Sequence, residues 1–182
     1  MPAIHDETRS RWEQLPPEKF IRLVIHGTLR EKINTAYMVI HVYTQIIHHL
    51  PATATMTLDY RDSEDDSGEI GLRDLFILMR DSITALHDAN EDETPTLPKG
   101  YTTEDYIALV VRQAKPHLAA IRQYAQPIQM DARVRQALLP ELNSRHVGDI
   151  VAEILKHASD IGQILEFAQN YGENITQQAR SG

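Results

Sequence analysis

Leu29-Arg-Glu-Lys-Ile33-Asn-Thr-Ala36-Tyr-Met-Val-Ile40-His-Val-Tyr43-Thr-Gln-Ile-Ile47-His-His-Leu50 sets an apolar side chain at spacings 4-3-4-3-4-3, and Pro51 stops the run. That rhythm follows one face of a helix with 3.6 residues per turn. Val147, Val151, Ile154, Ala158, Ile161, Leu165 and Ala168 repeat it. The two stripes are equally long, about 33 Å of helix each, as antiparallel bundle partners require.

Two further stripes complete the set. Leu75, Phe76, Met79, Ile83 and Leu86 mark one helix. Ile107, Val110, Val111, Ala114, Leu118, Ile121 and Ala125 mark another, with Thr102 or Thr103 as its cap and Glu104 and Asp105 in its first turn. The predicted fold is therefore all-α: a helical bundle of four principal helices at 29–50, 72–89, 103–126 and 144–171. Pro116 inside the third stripe predicts a kink near Arg112 or a break at Lys115.

Short helices fill the gaps. One is expected at 18–26, with Gly27 at its end and a fresh start at the capping box Thr28-Leu-Arg-Glu31. Another is expected at 129–139, between Pro127 and Pro140, and Asn143 or Ser144 should cap the last long helix. Residues 52–71 read as an acidic irregular segment, although the alternation in Ala-Thr-Ala-Thr-Met-Thr-Leu58 also suits a short hairpin. The chain is expected to be one domain over 1–182, with a flexible arm at 1–16 and a flexible tail at 177–182.

Composition narrows the chemistry. With 42% hydrophobic and 24% charged residues, the chain has ordinary globular character. It contains no cysteine, which removes disulfides, thiolate-bound zinc, iron–sulfur clusters and thiol catalysis. No apolar run approaches membrane-spanning length, so a soluble cytoplasmic chain with no membrane association is expected. The net charge of −8 is local: Asp59–Glu69 holds six acids against Arg61, and Asp88–Glu93 holds four more. The remainder is close to neutral, and the two acidic segments flank the second principal helix.

The helix from Leu29 carries the first candidate site. Tyr37, His41, Thr44 and His48 lie along one line. Val39, Val42 and Ile46 form a second apolar flank, which predicts burial of that helix's C-terminal half on much of its circumference. Two histidines two turns apart cannot chelate an ion alone. Glu153, His157 and Asp160 on the last helix are the conceivable additional ligands, but Asp149, Glu153 and Asp160 read as its solvated face. Ser63–Asp74 resembles a calcium loop with Gly68 at position 6, yet serine and aspartate replace the ligands at its two ends. No metal or other cofactor is expected.

Two segments carry the Arg-x(4–6)-His spacing that small helical ribonucleases of the HEPN type use: Arg80 to His87 and Arg112 to His117. There histidine would act as base and arginine would steady phosphate charge. Thirteen arginines, nine histidines and three spacings give about two such matches by chance. A nucleoprotein subunit would instead use Arg112, Lys115, Arg122, Arg133 and Arg135. The preferred expectation is a non-enzymatic protein-interaction module, binding another protein or a second copy through Tyr37, His41, His48 and the acidic Asp62, Glu64, Asp65 and Asp66. Nucleic acid is expected only within an assembly.

Overall fold

Phe20, Ile21, Val24 and Ile25 form one apolar face, and Leu29, Ile33, Ala36, Ile40 and Ile47 form the next. On a continuous α-helix the two faces would point about one residue step, ~100°, apart. The computed structural model, which describes residues 4–60, 68–91 and 97–181, resolves this conflict with a π-helix over Ile21–Leu29. The wider π turn takes up the surplus residue, and both faces are buried together. The helix predicted to stop at Gly27 therefore does not stop. Pro17–Phe20 (α2), the π segment and Arg30–His49 (α3) run on without interruption. Thr28 caps nothing and donates its hydroxyl to the carbonyl of Leu23, five residues back.

Leu72–Glu91 forms α4, Thr103–Met130 forms α5 and Val147–Ser181 forms α7. With α3 these make the predicted all-α bundle. Around the ring, α3 packs on α4, α4 on α5, α5 on α7 and α7 on α3. Paired residues give the directions. His41 meets Thr84 and Arg30 meets Glu91, so α3 and α4 are antiparallel. Lys115 meets Gln169 and Glu104 meets Thr176, so α5 and α7 are antiparallel too. Phe20 stacks on Tyr171 while Tyr43 bonds Glu153, which sets the π–α3 rod antiparallel to α7. The bundle is thus up-down-up-down. Upstream of it, Asp6–Glu13 (α1) brings Trp12 to 5.7 Å from Phe167.

Several local expectations change. α5 continues through Pro116, with no break at Lys115. Pro116 and Arg112, whose carbonyl loses its partner, both face solvent, where water can satisfy that carbonyl. The helix expected at 129–139 shrinks to Ala132–Arg135 (α6), capped by Asp131. After it, Leu138–Leu139 (β3) pairs with Arg145–His146 (β4). Asn143 and Ser144 turn this small hairpin with φ of 55° and 57°, instead of capping α7. Both polar side chains suit that left-handed turn. The start of α7 is held by Asp149, which accepts from the His146 backbone N–H at 3.3 Å.

The 52–71 region carries the hairpin that its threonines allowed: Thr57–Tyr60 (β1) pairs antiparallel with Gly68–Gly71 (β2), with Asp59 opposite Glu69. Leu58 is buried, and Arg73 ties the hairpin's base to the end of α3 by donating to the Leu50 carbonyl at 2.7 Å. Asp62, Glu64, Asp65 and Asp66 lie outside the described residues.

Candidate functional site

Packing of α3 on α4 joins two sets of residues that the sequence offers separately. Tyr37 and His41 come from α3, Arg80 and His87 from α4. The Tyr37 ring stacks on His87 at 4.1 Å and 20°, and its centroid lies 4.1 Å from that of His41. Thr84, which no motif singled out, lies 2.9 Å from His41 Nε2. Because the Thr84 hydroxyl donates to the Arg80 carbonyl, it accepts from His41. His48 stands apart from this group, exposed and edge-on to His49. Thr44 turns inward and bonds the carbonyls of Ile40 and Phe76.

The surroundings of the three rings are acidic. Asp88 and Glu91 lie 3.2 and 3.5 Å from the two ring nitrogens of His87. Arg80 grips Asp81 through two nitrogens, at 2.7 and 3.0 Å. Burial, with help from Arg80 and His87, pushes the His41 imidazole below its ordinary value. Burial does the same to His157 on α7, aided by Lys156.

Both histidines thus favour the neutral form in the fold. Their folded values lie below the unfolded one of about 6.5, so their stabilisation is fully present above pH ~6.5 and is lost as pH falls. The melting temperature should therefore drop between about pH 7.5 and 5. Replacing His41 and His157 by Gln should flatten that dependence, and an equally steep profile in the double variant would contradict the assignment.

The second apolar flank of α3 is not buried as expected. Val39 and Ile46 are half-buried, while Met38 is 60% and Val42 47% exposed. These two sit one turn apart beside Tyr37 and His41. The result is an apolar strip on α3 bordered by the ring stack and, beyond it, by the carboxylates of α4.

Elsewhere, Glu153 leaves its predicted solvated face. It accepts from the Tyr43 hydroxyl at 2.6 Å and from Arg145 at 2.9 Å, while Arg145 also donates to Tyr43 at 2.5 Å. Burial would raise the Glu153 carboxyl, but the hydrogen bonds from Tyr43 and Arg145 outweigh it and hold the carboxyl low. This triad pins the β4 strand to α3 and α7. Asp160 is buried and paired with Lys156 at 3.1 Å. Among the described residues, no three His, Asp or Glu side chains gather so as to hold a metal ion.

The remaining candidates disperse. Five residues along a helix turn by about 140°, so Arg112 and His117 leave α5 on different faces. Arg80 and His87, seven apart, share a face, but Asp81 already occupies the guanidinium that phosphate would need. Arg133 is taken by the Thr57 carbonyl and Asp131, and Arg135 by the Gln129 carbonyl. Arg112, Lys115 and Arg122 remain along α5. No described helix is long and apolar enough to cross a membrane. Compared with family models, curated proteins and solved structures, the chain matches none.

Proposed function

We propose that the protein is a non-enzymatic, cytoplasmic interaction module that receives a basic amphipathic helix of a partner protein along α3. The observation that carries this reading is the exposed strip of Met38 and Val42 beside an acidic border. Around the strip, Glu31, Asp81, Asp88 and Glu91 face three cations, Arg30, Lys32 and Arg80. Arg80 is paired with Asp81 and Arg30 keeps its charge on the neutral Glu91 carbonyl, so Glu31, Asp88 and Glu91 stand against Arg30 and Lys32 with an excess of one negative charge. A helix with leucines on one face and lysines at its edges matches both features. Tyr37 and His41 add ring surface of the kind that anchors interfaces.

The test is a calorimetric titration with a synthetic leucine/lysine amphipathic peptide, against a leucine/glutamate peptide of the same pattern. The lysine peptide should bind and the glutamate peptide should not. Met38→Lys combined with Val42→Lys should weaken binding at least tenfold, about 1.4 kcal/mol. Equal binding of both peptides, or no loss in the double variant, would overturn the proposal. Cleavage of an RNA, abolished by His87→Ala in a folded variant, would instead restore the ribonuclease alternative.

A further inference from the structure

The other broad face of the bundle, formed by α5 and α7, carries a different pattern. Two adjoining grooves of about 450 and 740 Å³ run along the α5–α7 seam and share Lys115 and Gln169. Between residues 112 and 122 the charge along this seam is sorted by helix. There the α5 side presents Arg112, Lys115 and Arg122 and the α7 side presents Glu166 and Glu173, while at the groove's end the α5 acid Glu104 accepts from the Thr176 hydroxyl. Among the described residues, Arg112, Arg122 and Glu166 form no ion pair, and Lys115 has only the neutral Gln169 amide at 3.1 Å. The floor is low where small residues lie. A Cβ added to Gly162 would come within 3.2 Å of the Arg122 guanidinium, so Arg122 reaches across the seam onto α7.

A surface with bases on one edge and acids on the other is complementary to itself. A two-fold axis lying along the seam sets each copy's α5 against its partner's α7 at equal height. The antiparallel pairing of Lys115 with Gln169 and of Glu104 with Thr176 puts Arg112 level with Glu173, and Glu166 between Lys115 and Arg122. In the two-fold arrangement every unpaired base thus meets an acid of the other copy, and the small residues let the helices approach. A purely anionic ligand would match the α5 edge but would be repelled by the α7 edge.

The size is sufficient for a reversible assembly. Residues 104–122 rise about 28 Å, and two helices side by side span about 20 Å. The face therefore offers up to ~560 Å² per copy, or ~1,100 Å² in total, the size of a weak, transient interface.

We infer that the α5–α7 seam is a homodimer interface, in which Arg112, Lys115 and Arg122 of one copy pair with Glu166 and Glu173 of the other. It is independent of the docking strip on α3. Sedimentation equilibrium between about 1 and 100 µM tests it. The wild type should reach twice 20.7 kDa in the upper half of that range and dissociate as salt is raised. Arg112→Glu with Lys115→Glu should give a monomer, as should Glu166→Lys with Glu173→Lys. An equimolar mixture of the two variants should recover the dimer. A wild type that stays monomeric, variants that dimerise like the wild type, or a mixture that stays monomeric would each overturn the inference. So would a monomer that binds a single-stranded oligonucleotide through the same bases with a steep salt dependence.

Discussion

Deleting Gly27 leaves the bundle folded and at least as stable, whereas deleting Met38, further along the same rod, unfolds it. Both deletions remove one residue and turn everything upstream by ~100° relative to everything downstream. In the π segment that turn is the correction the sequence needs. With Gly27 gone, Phe20, Ile21, Val24 and Ile25 fall on the face of Leu29 and Ile33 in an ordinary α-helix, and the weaker π hydrogen bonding is no longer required. Gly27 is itself exposed, so no core contact is lost. At Met38 the same turn swings Ile40, Ile47 and Leu50 out of the core. Each such side chain is worth about 1.5–3 kcal/mol of burial, and the sum rivals the whole stability of a small domain, about 5–15 kcal/mol. Far-UV circular dichroism with thermal melting separates the outcomes. A melting temperature lowered by the Gly27 deletion, or a Met38 deletion that folds normally, would contradict this account of the π segment.

Phe20→Ala should cost about 3–5 kcal/mol, as large-to-small changes at fully enclosed aromatics do. Phe20 is wholly buried where α2 enters the π segment. Its ring stacks on Tyr171 at 3.7 Å and 4°, and Phe167 lies 6.0 Å away. Tyr171 cannot follow into the space left behind, because its hydroxyl is tied to the Leu15 carbonyl at 2.6 Å. The cavity therefore stays open, and the truncation loses both transfer energy and ring contact. Denaturant titration measures it, and a loss under about 1 kcal/mol would mean that the site collapses freely.

The long helices were legible because each carries a core stripe with its own period, and no distant contact is needed to read it. The join at residues 20–29 was not, since Gly27 and Thr28-Leu-Arg-Glu31 are valid local stop and start signals. Only the need to bury Phe20–Ile25 together with Leu29–Ile33 overrides them. Pro116 misled in the same way: its penalty is local, while the apolar residues on either side of it commit α5 to continue. Asn143 and Ser144 suit both a helix cap and a left-handed turn, and pairing of Leu138–Leu139 with Arg145–His146 decided between these.

The site was half legible. Tyr37 and His41 stood out by spacing on α3, and Arg80 and His87 by spacing on α4, but nothing in either stretch says that the two meet. The flank of Val39, Val42 and Ile46 was visible as apolar, yet period alone cannot tell a second buried face from an apolar strip left in solvent. Glu153 read as solvated because its partner Arg145 arrives on a two-residue strand too short to foresee.

The most direct measurement on the α3 face is the footprint of the leucine/lysine peptide in ¹H–¹⁵N spectra of the protein. Shifted amides should cluster at 30–45 on α3 and 80–91 on α4, leaving the α5–α7 seam unchanged. Shifts concentrated on α5 and α7, or spread evenly over the bundle, would contradict a docking surface at Met38 and Val42.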